Sequence, residues 1–185
     1  MSVRLAGTSI GASLKPVCSS TALDMSGRIQ AMTNLEPKEF VLVGVVMKRL
    51  VSGEQTGGLF CLFENRSDGQ TKTPIHVHAD DDETIYVVEG QLTAVMDGEA
   101  RTLSPGESIF LKRGIPHQLM NPGNQLTRYI LIGTPSVFEQ FLAEGGHELR
   151  KGEVVGPPTP ADIERLEAAA PRFGITLLPD WPARA

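Results

Sequence analysis

Three of the chain's four histidines fall into one pattern. His76 and His78 flank a single residue, Glu83 follows an acidic stretch, Gly90 comes later, and His117 and Asn121 lie further on. Three imidazoles and a carboxylate form a complete donor set for one divalent transition metal ion: iron, manganese, nickel, cobalt or zinc. A closed structural zinc site would draw on thiolates, and none belongs to the set. Four donors on an ion that takes five or six leave room for water, dioxygen or a chelating substrate. Such an ion works as a Lewis acid and as a template. Glu83 is also a candidate base, since a carboxylate that lets go of the metal can take a proton from a substrate hydroxyl.

The elements around these residues must bring them to one point. Residues two apart on a strand face the same way, so His76 and His78 converge while Val77 turns aside. Glu83 lies five residues past His78, an odd offset that an unbroken strand would point outward. Residues 79–82 supply the break. After it Glu83 opens a new strand on the ligand side, with Ile85 and Val87 inward behind it. His117 belongs to a later strand that Gly114 and Pro116 help to start, and it is expected to arrive from across the fold. Asp80, Asp81 and Asp82 read as a solvated turn, Asn121 as a turn-former and His147 as a surface residue. Phe60, Phe63, Met96, Phe110 and Met120 read mostly as core.

From about Glu39 the sequence is a series of short apolar runs broken by turns. The first reads as one strand from Phe40 to Val51, and later ones end near Gly133. Asp97-Gly98 between two such runs is a strong hairpin signal. Seven or more strands at this spacing, with no helices between them, predict an antiparallel sandwich or barrel. Two helices should follow. Ser136-Val137-Phe138-Glu139 and Thr159-Pro160-Ala161-Asp162 both have the form of a capping box. Phe138, Phe141 and Leu142 form the apolar face of the first helix. Ile163, Leu166 and Ala170 form that of the second.

The same residues resemble the two motifs of the cupin family. His76, His78, Glu83 and Gly90 match the first; Gly106, Gly114, His117 and Asn121 match the second. Lys112 departs from the second motif, which usually has proline there, and this leaves the ligands untouched. The resemblance spans roughly Val41 to Gly133. It implies an all-β double-stranded β-helix, a cupin jelly-roll barrel, carrying a C-terminal helical tail, with the metal held by His76, His78, Glu83 and His117. Within the family the chain looks most like single-barrel proteins similar to quercetinases. That likeness implies a dioxygenase acting on an enolic aromatic, flavonol-like substrate: Glu83 accepts the substrate's proton, dioxygen inserts across the ring, and carbon monoxide leaves. Two alternatives stay open: a metal-dependent isomerase, epimerase or lyase, and a small-molecule-binding barrel without catalysis.

Composition narrows the partners. The chain has 185 residues, 41% of them hydrophobic and 21% charged, with a formal charge of −5. No basic stripe gathers the lysines and arginines, which argues against nucleic acid. No apolar run reaches the length a membrane helix needs. A cytoplasmic protein is the default expectation, with a small-molecule substrate, dioxygen if it is a dioxygenase, and pairing as a homodimer that covers sheet edges. Cys61 reads as a small core residue. The expected organisation is an N-terminal arm (1–31), poorly ordered or preceding the natural start, then the barrel (32–134) and a C-terminal helical extension (135–185).

Overall fold

The computed structural model describes residues 38–179, so the expected N-terminal arm lies outside the described residues. Among these, the strands fall into two antiparallel sheets. One sheet holds β1 (Glu39–Leu42), β2 (Val45–Val51), β3 (Cys61–Ser67), β6 (Asp82–Glu89), β9 (Ser108–Leu111), β11 (Thr127–Thr134) and β12 (His147–Glu148). Its spatial order is β12-β1-β2-β3-β11-β6-β9. The other holds β5 (His76–His78), β7 (Leu92–Met96), β8 (Glu99–Leu103), β10 (His117–Asn121) and β13 (Ile175–Leu177), in the order β13-β5-β10-β7-β8. The short β4 (Thr71–Lys72) pairs with β10. Helices α1 (Val137–Gly145) and α2 (Pro160–Ala169) follow.

Side-chain alternation builds the core. Along β6, Glu83, Ile85 and Val87 are buried while Tyr86 and Val88 face outward. Phe63, Leu92, Leu103, Leu111 and Leu131 fill the space between the sheets with them. Phe110 is 54% exposed on the outer face, so the expectation that it belongs to the core does not hold. It sits between two inward neighbours on β9, and the strand's period of two turns it out. Cys61 is fully buried, and burial pushes its thiol up to about 12.

The run expected to form one strand from Phe40 to Val51 is a hairpin. Val43 and Gly44 make a two-residue turn with both φ angles positive, at 45° and 82°. Asp97 and Gly98 do the same, at 50° and 82°. Primed hairpin turns need this geometry, and Asp-Gly advertises it whereas Val-Gly does not. A β-branched residue is a genuine outlier at positive φ. Its strain is of the order of 1–2 kcal/mol, which the surrounding packing must hold.

The first expected capping box is also absent. Ser136 precedes α1 without a side-chain capping bond. Glu139 turns away, accepting from Arg49 Nη1 at 2.6 Å and from the Gly53 amide at 2.5 Å. A charge-assisted pair outcompetes a local backbone contact. The second box forms as expected: Thr159 and Asp162 bond each other's backbone amides. Phe138, Phe141 and Leu142 of α1 and Leu166 of α2 are buried against the barrel. The tail is more than helical, since β13 adds a strand beside β5 and β12 adds one beside β1. His147 therefore lies in a strand, where it bonds Glu153 at 2.8 Å. No helix among the described residues is long and apolar enough to cross a membrane.

These contacts predict opposite outcomes at the two ends of the unformed box. Glu139→Ala should lower unfolding free energy by about 1–3 kcal/mol, because it strands the Gly53 amide and Arg49. Ser136→Ala should change it by less than about 0.5 kcal/mol. Urea denaturation of the two variants measures the difference.

Candidate metal centre

His76, His78, Glu83 and His117 each offer one donor atom, and these atoms all lie within 4.8 Å of one another. An ion about 2.1 Å from each donor separates donors by up to about 4.2 Å, so only small side-chain movements complete a coordination sphere. The route by which they meet differs from the expected one. His117 does not cross the fold: β10 pairs with β5, and His117 lies directly opposite His76. The rings of His76 and His117 are 4.4 Å apart between centroids, and those of His78 and His117 are 5.2 Å apart. Glu83 is the residue that comes from the other sheet, on β6 between β11 and β9. The sheet change happens in the acidic stretch after His78, and this puts the carboxylate opposite three imidazoles.

Local contacts fix each ring. Nδ1 of His76 lies 2.8 Å from the Pro74 carbonyl, and Nδ1 of His117 lies 3.0 Å from that of Ile115. Nδ1 of His78 lies 2.9 Å from Asp81 Oδ2. With each Nδ1 donating a proton to oxygen, each Nε2 keeps its lone pair for the shared centre. The Nε2 atoms of His78 and His117 are buried without a hydrogen-bond partner. His117 Nε2 is 3.5 Å from Glu83 Oε2, too long for a firm bond. Buried polar atoms left this way call for a missing partner, and a cation meets the need of all four donors at once. The donor set and its buried unpartnered nitrogens fit a divalent ion.

The acidic turn is solvated only in part, with Asp80 exposed as expected. Asp81 is 2% exposed and holds His78, while Asp82 takes the Arg113 guanidinium and backbone amide, each at 2.8 Å. The Arg113 bonds hold the Asp82 carboxyl below its usual range. Asn121 combines burial with its expected turn-forming task, donating to the Gln125 carbonyl and accepting from the Gly123 amide.

Electrostatics follow from enclosure. Burial, then the neighbouring His117 and His78, lower His76 to about 3, keeping it neutral as metal ligation requires. Burial alone would lower His78, but Glu83 and Asp81 outweigh it and raise that ring above its ordinary 6.5. Burial alone would raise Glu83, but the surrounding imidazoles, His78 foremost, hold it at about 2.

Beside the donors lies a cavity of about 50 Å³ reached by His76 and Glu83. Its wall is mostly apolar, with Leu42, Met47, Leu119, Leu131, Phe138 and Phe141 among its residues. Tyr129 also faces it, and burial together with the Glu83 charge pushes the phenol above its usual range. Sequence reasoning missed Asp81 and Tyr129. Tyr129 had a signal, since it alternates with Thr127 and Leu131 on the inward side of β11.

Comparison with known proteins places this arrangement. The cupin domain family matches residues 65–133, which contain all four donors. This chain carries a cupin domain. It is 24% identical to quercetin 2,3-dioxygenase of Bacillus subtilis over 86% of this chain and 45% of that one. It is 30% identical to the HTH-type transcriptional regulator PuuR of Escherichia coli over 51% of each. The chain thus spans about half the length of these curated relatives. A predicted oxalate decarboxylase from Thermotoga maritima superposes with a TM-score of 0.50 at 18% identity, over 56% of this chain and 96% of that one. That likeness speaks to the fold alone. An oxygenase and a regulator both resemble this cupin barrel, so its activity must be argued from the site.

Two outcomes follow from the contacts of His78. Asp81→Ala should weaken binding of a divalent ion about 10–100-fold, with Asp81→Asn nearer to wild type. A proton on His78 competes with the metal, and this ring's pKa is raised. Affinity should therefore be full above the raised value and fall as pH drops through it, beginning above 6.5. Competition titration of cobalt against a chromophoric chelator reads both.

Proposed function

We propose that His76, His78, Glu83 and His117 hold one divalent metal ion, and that the protein is a dioxygenase cleaving an enolic aromatic substrate. The observation that carries this reading is a three-histidine, one-carboxylate cluster, buried at all but the half-buried His76, that opens onto an apolar cavity. Bound there, the ion would supply Lewis acidity and a template for an enol oxygen and dioxygen.

The chain's own residues do the rest. Glu83 is deprotonated at neutral pH and takes the proton of the substrate hydroxyl as the enol binds. Tyr129 stays protonated in the same cavity, so its hydroxyl donates to an oxygen of the bound substrate. The apolar wall excludes water, which strengthens these contacts and protects the enolate. Among the described residues no lysine or arginine lines this cavity. A phosphorylated sugar would find no cation to meet it, which places isomerisation of such substrates behind oxygenation. The distant likeness to quercetin 2,3-dioxygenase points the same way. In the net reaction both atoms of dioxygen enter a flavonol-like ring and one ring carbon departs as carbon monoxide.

A homodimer is the assembly we favour. Tyr86 and Phe110 are exposed on adjoining strands of the outer sheet face, with Val88 beside them. Exposed apolar groups clustered this way mark contact surfaces.

Oxygen uptake by the metal-loaded protein, measured across a panel of flavonols and β-diketones, tests the activity. Uptake with release of carbon monoxide is expected. Glu83→Gln should lower kcat about 10²–10⁴-fold in protein shown by elemental analysis to retain metal. Silence across the panel would sink the oxygenase reading. Full turnover by metal-retaining Glu83→Gln would remove Glu83 as the base.

A further inference from the structure

The cavity at the donors is small for its proposed task. Ligand pockets for ring-sized molecules are typically several hundred Å³, and this one is about 50 Å³. A much larger groove, about 930 Å³, runs along the outside of the barrel. Val43, Thr73 and Pro74 line both spaces. The groove and the cavity are therefore two sides of one wall, a single layer of side chains thick.

That wall is built unevenly. Thr73 is pinned to β10, its amide bonding the Leu119 carbonyl at 3.0 Å and its hydroxyl accepting the Leu119 amide at 3.1 Å. Val43 sits at the tip of the β1–β2 hairpin with φ at 45°, a conformation a β-branched residue rarely adopts. Backbone outliers of this kind concentrate at ligand clamps and gates. Gly44 beside it closes against the segment between β12 and α2, where an added Cβ would lie 3.1 Å from the Gly156 carbonyl.

The groove's chemistry is distinct from the cavity's. Pro157, Pro158, Ile163 and Leu178 give it flat apolar surface, and Gln118 and Lys72 put polar atoms along it. Among the described residues Lys72 and Asp68 are the charged side chains in its wall, one of each sign, and Asp68 is paired with Arg66 at 3.6 Å. A flat, neutral group carrying hydroxyls suits this lining better than a phosphate or a carboxylate cluster. We infer that this groove is a second substrate subsite, binding a hydroxylated aromatic ring whose enolic head passes the Val43 hairpin to reach Glu83. This rests on the oxygenase reading for the head group, and it adds where the remainder of the molecule lies.

The test separates the two claims. Val155 lines the groove, half-buried and outside the cavity wall. Val155→Trp fills the groove, while Val43→Gly relaxes the hairpin and thins the wall. Quercetin is titrated anaerobically into the metal-loaded full-length protein, and oxygen uptake is then compared for quercetin and acetylacetone. Val155→Trp should raise the quercetin Kd at least tenfold and lower the quercetin-to-acetylacetone ratio of kcat/KM at least tenfold. Val43→Gly should speed quercetin association at least threefold. Tight binding that Val155→Trp weakens, without oxygen uptake by any form, keeps the groove and discards the oxygenase. Oxygen uptake with quercetin Kd and substrate ratio unchanged in Val155→Trp and no acceleration in Val43→Gly overturns the groove. So does a wild-type protein that does not bind quercetin.

Discussion

The hydrogen bond between His78 and Asp81 holds the rest of the site in place. It lies inside the short crossing between sheets, so it constrains where β5 ends and where β6 begins. A shift of one residue on either side would turn His78 or Glu83 to the wrong face. Asp81 is itself buried, and an unpaired buried carboxylate would be costly. Asp81 Oδ2 finds its partner in His78 Nδ1, and with that bond made three imidazoles on one sheet look at a carboxylate on the other. Arg113 braces the far side of the crossing by gripping Asp82.

Around this polar point the barrel is apolar. Ile85, Val87 and Leu131 continue inward from Glu83, and the side chains of α1 and α2 close the space above. The contrast sets the charge state of the carboxylate. In water Glu83 would be an ordinary acid; enclosed among imidazoles it is charged and desolvated together. Such a group keeps its charge and is suited to a cation.

The four donors were legible because their spacing carries strand geometry with it. His76 and His78 share a face by period alone, and Glu83 regains it through a break that aspartates announce. Which donors share a sheet was not legible. That depends on β10 lying beside β5, a pairing set by the whole topology and by no local signal. The Val43-Gly44 turn was hidden for a different reason. Valine's strand preference spoke for continuity, and tertiary packing overrode it. Glu139 misled in the opposite sense, since its position fits a cap and only the folded barrel brings Arg49 and Gly53 to it. Asp81 looked like turn material because a sequence does not show which of three adjacent carboxylates points inward.

The pairing of β13 with β5 bears on how the molecule comes into being. Ile175 lies opposite His78, and Leu177 opposite His76. The strand carrying two of the donors is thus flanked by β10, reached some forty positions later, and by β13 near the end of the described chain. Contacts so distant along the backbone demand large loop closures before they return any stabilisation, and folds rich in them form slowly. On the ribosome, His76 and His78 emerge well before either flanking strand exists. The site is therefore among the last parts of the protein to take shape, and a nascent chain would display its histidines long before it could enclose them.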